Sequence, residues 1–277
     1  MDYVETYREL GYAVVPGVFT PAELAELAAA FDRVHDEAMS HPKSYRHQNV
    51  LYRTSRDAKL GRIVRLVQWP SYLHPVLQRY RTDPRIGDIL APLIGRDVKQ
   101  IINQLHWKPQ GAAMAEFGYH QDIRFRRPRS AYRDPEVNYV QTGIAIDAHT
   151  AGSGAMTVLP RSHLLGELDM KISGSVAQTA LADDDLTRLG LDPKDVVSLD
   201  MAPGDVALWH LDLLHGSGPN RIAPDRRFYI NGYVRADACD RGEWAFKGGK
   251  PCALGEPVLV HYEDLHTRPG PYDVDED

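Results

Sequence analysis

Apolar positions follow two regimes along this chain. In TPAELAELAAAFDRVHDEA, Leu24, Leu27, Phe31 and Val34 recur at helical spacing, which predicts an amphipathic helix with one buried stripe. Thr20 supplies an N-cap, Pro21 suits the first helical position, and Glu23 completes a capping box. Ahead of it, YAVVPGVF is a short β-rich run, and ETYRELG predicts a small helix stopped by Gly11. DPRIGDILAPLIG, 83–95, predicts a further helix ended by Gly95. Residues 40–75 are rich in Arg, His and Tyr without a clean period, which fits an irregular segment beside a site or a plain surface loop. Beyond them the period shortens. VKQIINQLHW, VNYVQTGIAIDAH, GAMTVLP, DVVSLDMAPGDVALWH and RRFYINGYVRAD are β-branched or aromatic runs separated by Gly, Pro, Asn and Asp. The pattern predicts a mainly β fold, a barrel or sandwich with the early helices packed outside it. No internal repeat is visible. The acidic tail from about 265, HTRPGPYDVDED, is expected to be partly flexible. A length of 277 residues suits one domain spanning 1–277.

Composition narrows the class. Apolar content of 43% and charged content of 25% are ordinary for a globular enzyme. The net charge of −6 argues against a nucleic-acid partner. No run approaches the roughly 18 apolar residues of a membrane helix, and the opening MDYVETYREL is unlike a signal peptide. Two cysteines, Cys239 and Cys252, build neither a disulfide framework nor a thiolate metal site, and they point to a reducing cytoplasm. The expected partner is a small molecule, not nucleic acid or a membrane.

The candidate chemistry lies in two H-x-D triplets, His120-Gln121-Asp122 and His210-Leu211-Asp212, the second followed by His215. On a strand, residues i and i+2 share a face, so either triplet could offer an imidazole and a carboxylate to one metal. Two histidines and one carboxylate form the facial triad of non-haem Fe(II) oxygenases, which leaves open coordination positions. The spacing rule does not choose between the triplets, but context does. His120 sits where a strand opens into a loop, as site residues often do. His210, Asp212 and His215 come from one short segment, and a strand would send 215 to the face opposite 210 and 212. His120, Asp122 and His215 are therefore the expected ligands. Arg226, on the strand returning from His215, could grip the distal carboxylate of a dicarboxylate co-substrate.

These residues resemble the phytanoyl-CoA dioxygenase family of Fe(II)- and 2-oxoglutarate-dependent oxygenases. The likeness is carried by HQD at 120–122, VLPRSH at 158–163, LLHGSGPN with Arg226, the opening GYAVVPGVFTPAELAEL and the later VRADACD, from about residue 7 to 240. It implies a double-stranded β-helix, or jelly roll, buttressed by helices. It also implies Fe(II) held by His120, Asp122 and His215, with 2-oxoglutarate and O2 converted to succinate and CO2. Arg226 would pair with the far carboxylate of 2-oxoglutarate, Ser217 would add a hydrogen bond, and Gln104 would contact the co-substrate. Arg227 is the adjacent competitor; Arg226 is preferred because its separation from His215 fits the family better. Halogenating relatives lack the metal carboxylate, so Asp122 favours hydroxylation of an unactivated C–H bond. Desaturation, cyclisation, epoxidation or epimerisation by the same chemistry are alternatives, and a non-catalytic jelly-roll binding module is a further one.

Substrate contacts are sought near the metal. Arg124, Arg126, Arg127 and Arg129 crowd the loop after the triplet around Phe125, and one or two of them could meet a carboxylate, phosphate or phosphonate. Continuing a strand from Asp122 would aim Arg124 and Arg126 at the metal side. Trp107, Phe117 and Tyr119 are candidate pocket walls, with core packing as the competing role. Asp147 and His149 fit turn chemistry, His210 a structural histidine, and His163 a loop anchor.

Overall fold

The computed structural model describes residues 2–112, 117–170, 183–258, 267–268 and 270–274. Its N-terminal helices form where their caps place them. The helix α1 (Tyr3–Leu10) starts at Asp2, whose side chain accepts from the Glu5 amide. It stops at Gly11, which has φ 83°. A Cβ at Gly11 would stand 2.4 Å from Nδ1 of His163, so both the dihedral and the packing require glycine. After strand β1 (Tyr12–Val15), α2 (Pro21–Ser40) opens with both hydrogen bonds of the Thr20–Glu23 capping box. Leu24, Leu27, Phe31 and Val34 are buried, as their period requires.

Residues 40–75 are not irregular. They form a meander of β2 (Ser44–His47), β3 (Val50–Asp57) and β4 (Gly61–Gln68). Alternation is obscured for two reasons. A bulge after Arg53 breaks the β3–β4 register, and polar Ser44, Thr54, Ser55, Asp57 and Arg65 are buried. The expected helix over 83–95 is present as α4 (Pro84–Ile94), preceded by α3 (Pro75–Arg81).

The remaining strands are β5 (Val98–Lys108), β6 (Phe117–His120), β7 (Tyr139–Ala145), β8 (Met156–Val158), β9 (Val197–Ser198), β10 (Val206–Trp209), β11 (His215–Ser217), β12 (Arg226–Arg235), β13 (Glu243–Lys247), β14 (Lys250–Pro251) and β15 (Tyr272–Val274). Short helices α5 (Pro135–Asn138) and α6 (Asp183–Arg188) interrupt them. The large sheet runs β1-β10-β7-β12-β5-β4-β3-β2-β15, with β13 paired to β5 and β14 to β13. A small sheet runs β6-β11-β8-β9. Every pairing is antiparallel. The tail differs from expectation, since Tyr272–Val274 add a strand to the β2 edge; residues 265, 266, 269 and 275–277 lie outside the described residues, as do 113–116 and 171–182 within the expected core.

Two hydrophobic layers follow from strand alternation. One face of the large sheet buries Leu105, Trp107 and Tyr229 against Phe31 and the other helical side chains. The opposite face meets the small sheet through Trp209, Phe228 and Ala145, packed with Met156 and Val158. A Cβ at Gly143 would stand 2.0 Å from the Phe228 ring, so glycine is what lets that ring lie flat across β7. The candidate site occupies this second layer. Antiparallel sheets facing one another, with helices on one outer face, make the jelly roll that the family resemblance implied and fit the mainly β pattern of the strands.

Candidate metal centre

The two distant histidines meet by register. In the β6–β11 pair, His215 lies directly opposite His120, and their ring centroids are 4.2 Å apart. Gln121 is extended and the chain then turns at once, with Asp122–Phe125 forming a short 3-10 turn. Asp122 thus rejoins the His120 side. Its Oδ1 lies 3.7 Å from His120 Nε2, and its Oδ2 lies 3.8 Å from His215 Nε2. Ligand atoms of all three side chains lie within 4.8 Å of one another. These separations are too long for hydrogen bonds and suit three donors around a common ion.

Tautomers point the same way. His120 Nδ1 donates to Gly118 O at 2.8 Å and His215 Nδ1 to Leu213 O at 2.9 Å, which leaves each Nε2 as a lone-pair donor. Burial, then the adjacent His120, push the His215 imidazole down to about 4, so it is neutral at pH 7. For Asp122, burial alone raises the carboxyl pKa, but His215, His120 and Arg126 together hold it below the usual carboxylate range. Gln141 Nε2 and Trp209 Nε1 donate to Asp122 Oδ2 at 2.8 and 2.9 Å. Those two donors are themselves cross-strand partners on β7 and β10, so one rung of the sheet orients the carboxylate.

The rival triplet cannot bind in this way. His210–Leu214 form a turn and not a strand, so the alternation argument used against them does not apply, and hydrogen bonding decides instead. His210 Nε2 donates to Glu136 O at 2.5 Å while its Nδ1 accepts from the Asp212 amide at 3.0 Å. Both ring nitrogens are engaged. Burial holds the Asp212 carboxyl up at about 6. Gln121, pointing away from the metal side, donates to Asp212 O and Gly166 O and accepts from the Leu168 amide. His163 contacts Arg8 O at 3.2 Å, which anchors its loop as expected.

Alternation on β12 separates the two arginines. Arg227 points toward α2, where Asp147 grips it through Nε and Nη2, and Asp32 lies 3.2 Å from Nη1. Arg226 points between the sheets and is 4% exposed. Its Nη1 donates to His149 Nδ1 at 3.0 Å, while among the described residues its Nε has no acceptor. Burial lowers its pKa to about 10, with Asp147 opposing the shift. A buried cation with an unmet donor calls for an anion. Nearby, Lys108 Nζ donates to Ser217 Oγ at 2.6 Å, leaving the Ser217 hydroxyl hydrogen free for another acceptor. Gln104 shares the inner face of β5 with His106, whose Nε2 donates to Gln104 Oε1 at 2.9 Å. Burial, then Arg226, Arg65 and Lys108, push His106 down to about 3.

The residues proposed as substrate contacts need correction. Trp107 faces the helices, edge-on to Phe31 at 5.2 Å, because β5 alternation gives the inner face to Gln104, His106 and Lys108. Tyr119 alternates with His120 and packs on the outer side with Leu159, Leu186 and Leu214. Phe117 does lie inside, 5.6 Å from His106. Arg124 and Arg126 are not on a continued strand, since the 3-10 turn intervenes. Arg126 is buried over the Tyr139 ring, and Arg124 lies over Phe125. Sequence reasoning missed Gln141, Trp209, His149 and Lys108. For Gln141 and Trp209 the available signal was a polar or indole residue on the inward parity of a strand otherwise largely apolar; His149 lies beyond the end of β7 and Lys108 ends a strand with several polar residues, so neither carried it.

Comparison with known proteins agrees with this geometry. Residues 7–228 match the family described as phytanoyl-CoA dioxygenase. The chain belongs to the phytanoyl-CoA dioxygenase family. It is 26% identical over 245 residues, covering 84% of this chain and 77% of the relative, to a probable alpha-ketoglutarate-dependent hypophosphite dioxygenase of Stutzerimonas stutzeri. The fold is similar to EctD from S. alaskensis with bound Fe (TM-score 0.64, 20% identity, 92% of this chain and 80% of that one). It is also similar to the epimerase SnoN in complex with Fe3+, alpha ketoglutarate and nogalamycin RO (TM-score 0.61, 20% identity, 94% and 95% covered). As a member of this family the protein is an Fe(II)/2-oxoglutarate-dependent dioxygenase, with iron and 2-oxoglutarate as its cofactor and co-substrate. The donor set described above fits both. Among the described residues, no helix is long and apolar enough to cross a membrane.

Proposed function

We propose that this enzyme hydroxylates an unactivated C–H bond of a small organic metabolite in the cytoplasm, consuming 2-oxoglutarate and O2 and releasing succinate and CO2. The balance is one O2 for two oxygen atoms delivered, one to the new hydroxyl and one to succinate. The observation that carries the proposal is the intact carboxylate of Asp122, buried and held at Oδ2 by Gln141 and Trp209. A carboxylate fixed in this way occupies the coordination position that would otherwise accept a halide, which favours oxygen transfer.

Each residue then has a task. His120 and His215 turn their Nε2 atoms toward Asp122, with their rings locked at Nδ1 by backbone carbonyls. Bound iron supplies the centre at which O2 is activated and 2-oxoglutarate decarboxylated. Arg226 holds the distal carboxylate of the co-substrate from between the sheets, Ser217 adds a donor, and Gln104 borders the same space. Trp209 and Phe228 form an apolar floor that keeps water from the reacting atoms. No side-chain general base is required.

The test is product analysis by mass spectrometry of small metabolites that stimulate succinate release. Gain of one oxygen is expected; loss of two hydrogens without oxygen gain would refute hydroxylation.

A further inference from the structure

The arginines after Asp122 do not share one fate. Arg127 and Arg129 both pair with Glu167, and Arg133 pairs with Asp240 at 3.0 Å. Arg126 lies buried over Tyr139 and contributes to holding Asp122 ionised. Arg124 differs from all of these. Its guanidinium lies 5.7 Å from the centre of the Phe125 ring, and Phe125 packs edge-on against the metal imidazole of His120 at 6.0 Å. Among the described residues, nothing accepts a hydrogen bond from its buried Nη1. Leaving a buried nitrogen of a half-buried guanidinium unpaired costs free energy, which an arriving acceptor would recover.

The geometry points to Arg124 as the receptor for an oxyanion on the primary substrate, a carboxylate or a phosph(on)ate, with Phe125 spacing that anion from the iron. This rests on the dioxygenase reading of the neighbouring triad. Charge balance supports it. Fe(II) with Asp122 and doubly charged 2-oxoglutarate carries net −1, which Arg226 alone neutralises. With that charge balanced, the Arg124 guanidinium favours a substrate bearing negative charge over a cationic one. The guanidinium fork suits both oxyanion shapes, so the two sources are separated by experiment.

Acetate, methylphosphonate and neutral acetamide are titrated calorimetrically into the anaerobic wild-type enzyme loaded with Fe(II) and saturating 2-oxoglutarate. Saturable binding of at least one oxyanion and none of acetamide is expected, and the tighter oxyanion identifies the group. Arg124→Ala should weaken it about tenfold to a hundredfold, the range for a lost charged hydrogen bond. Arg124→Lys should lose less, and Arg127→Ala should match wild type. In all variants 2-oxoglutarate binding should stay unchanged, which shows that the site is folded. Equal oxyanion binding by Arg124→Ala, or acetamide binding as well as acetate, would overturn the proposal. A substrate that needs Arg124 but loses two hydrogens would refute hydroxylation while leaving the receptor in place.

Discussion

Removing the Arg226 guanidinium should damage co-substrate binding and little else. In the structure that group is 4% exposed, donates once to His149 and keeps its Nε unmatched. Its proposed partner in the loaded enzyme is the far carboxylate of 2-oxoglutarate. Truncating one member of a buried, hydrogen-bonded charge pair costs about 2–4 kcal/mol, which is a factor of about 30 to 700 in the dissociation constant. Arg227→Ala is the control. It removes a bidentate pair with Asp147 and a longer contact to Asp32, all on the helical side of the sheet. Its cost should fall on stability, at about 1 kcal/mol for such partly exposed pairs. The assay is succinate release against 2-oxoglutarate concentration, with direct binding measured anaerobically on the iron-loaded protein. Arg226→Ala should raise the 2-oxoglutarate KM far more than Arg227→Ala does, with most kcat regained at saturation. The reverse ranking would show that the β12 parity assigned here is wrong by one residue.

Two further outcomes follow from the site. Asp122→Ala should abolish succinate release, while Asp212→Ala should keep most of it; equal loss in both would show that the wrong triplet was chosen. In iron-free protein, stability should fall as the pH drops from about 6.5 toward 4. His106, His149 and His210 are held neutral, mainly by burial, at about 3, well below 6.5, and about 4 respectively. Below their unfolded value of about 6.5 the unfolded chain therefore takes up protons that the folded chain refuses. Asp212, raised to about 6 by burial, binds its proton more readily in the folded state and offsets part of the loss. A melting temperature that stays level or rises between pH 6.5 and 4.5 would refute this balance.

Periodicity made some parts of the molecule legible and hid others for identifiable reasons. The α2 stripe and its capping box are local features, so they survived intact. The β2–β4 meander was hidden because a bulge shifts its parity and because its buried side chains include Thr54, Ser55, Asp57 and Arg65. The metal ligands were readable from residue type and spacing, although the reason against His210 and Asp212 was not: two hydrogen bonds exclude that histidine, where a strand face had been assumed. Trp107 and Tyr119 were assignable in principle. Each has the parity opposite to a residue given an inward role in the sequence, Gln104 and His120 respectively, and alternation applied to them moves both out of the pocket.

The two histidines of the triad and the proposed co-substrate residues sit on paired strands, whereas Arg124, the proposed substrate receptor, sits on an irregular segment. This division has a physical cause. Coordination needs atoms fixed to a few tenths of an ångström, which the His120–His215 and Trp209–Gln141 cross-strand pairs provide through backbone ladders. The chain leaves β6 immediately after His120, and the 3-10 turn that follows carries Asp122 back to the His120 side and Arg124 within it, before Arg126 ends the turn. Positions 124–133 can then change without disturbing the ladder that holds the ligands. One scaffold can in this way keep a constant oxidising centre while the loop after Asp122 decides which molecule is presented to it. A change of substrate class is therefore expected from substitutions at Arg124 and its neighbours, and loss of iron from substitutions along the β7–β10 rung.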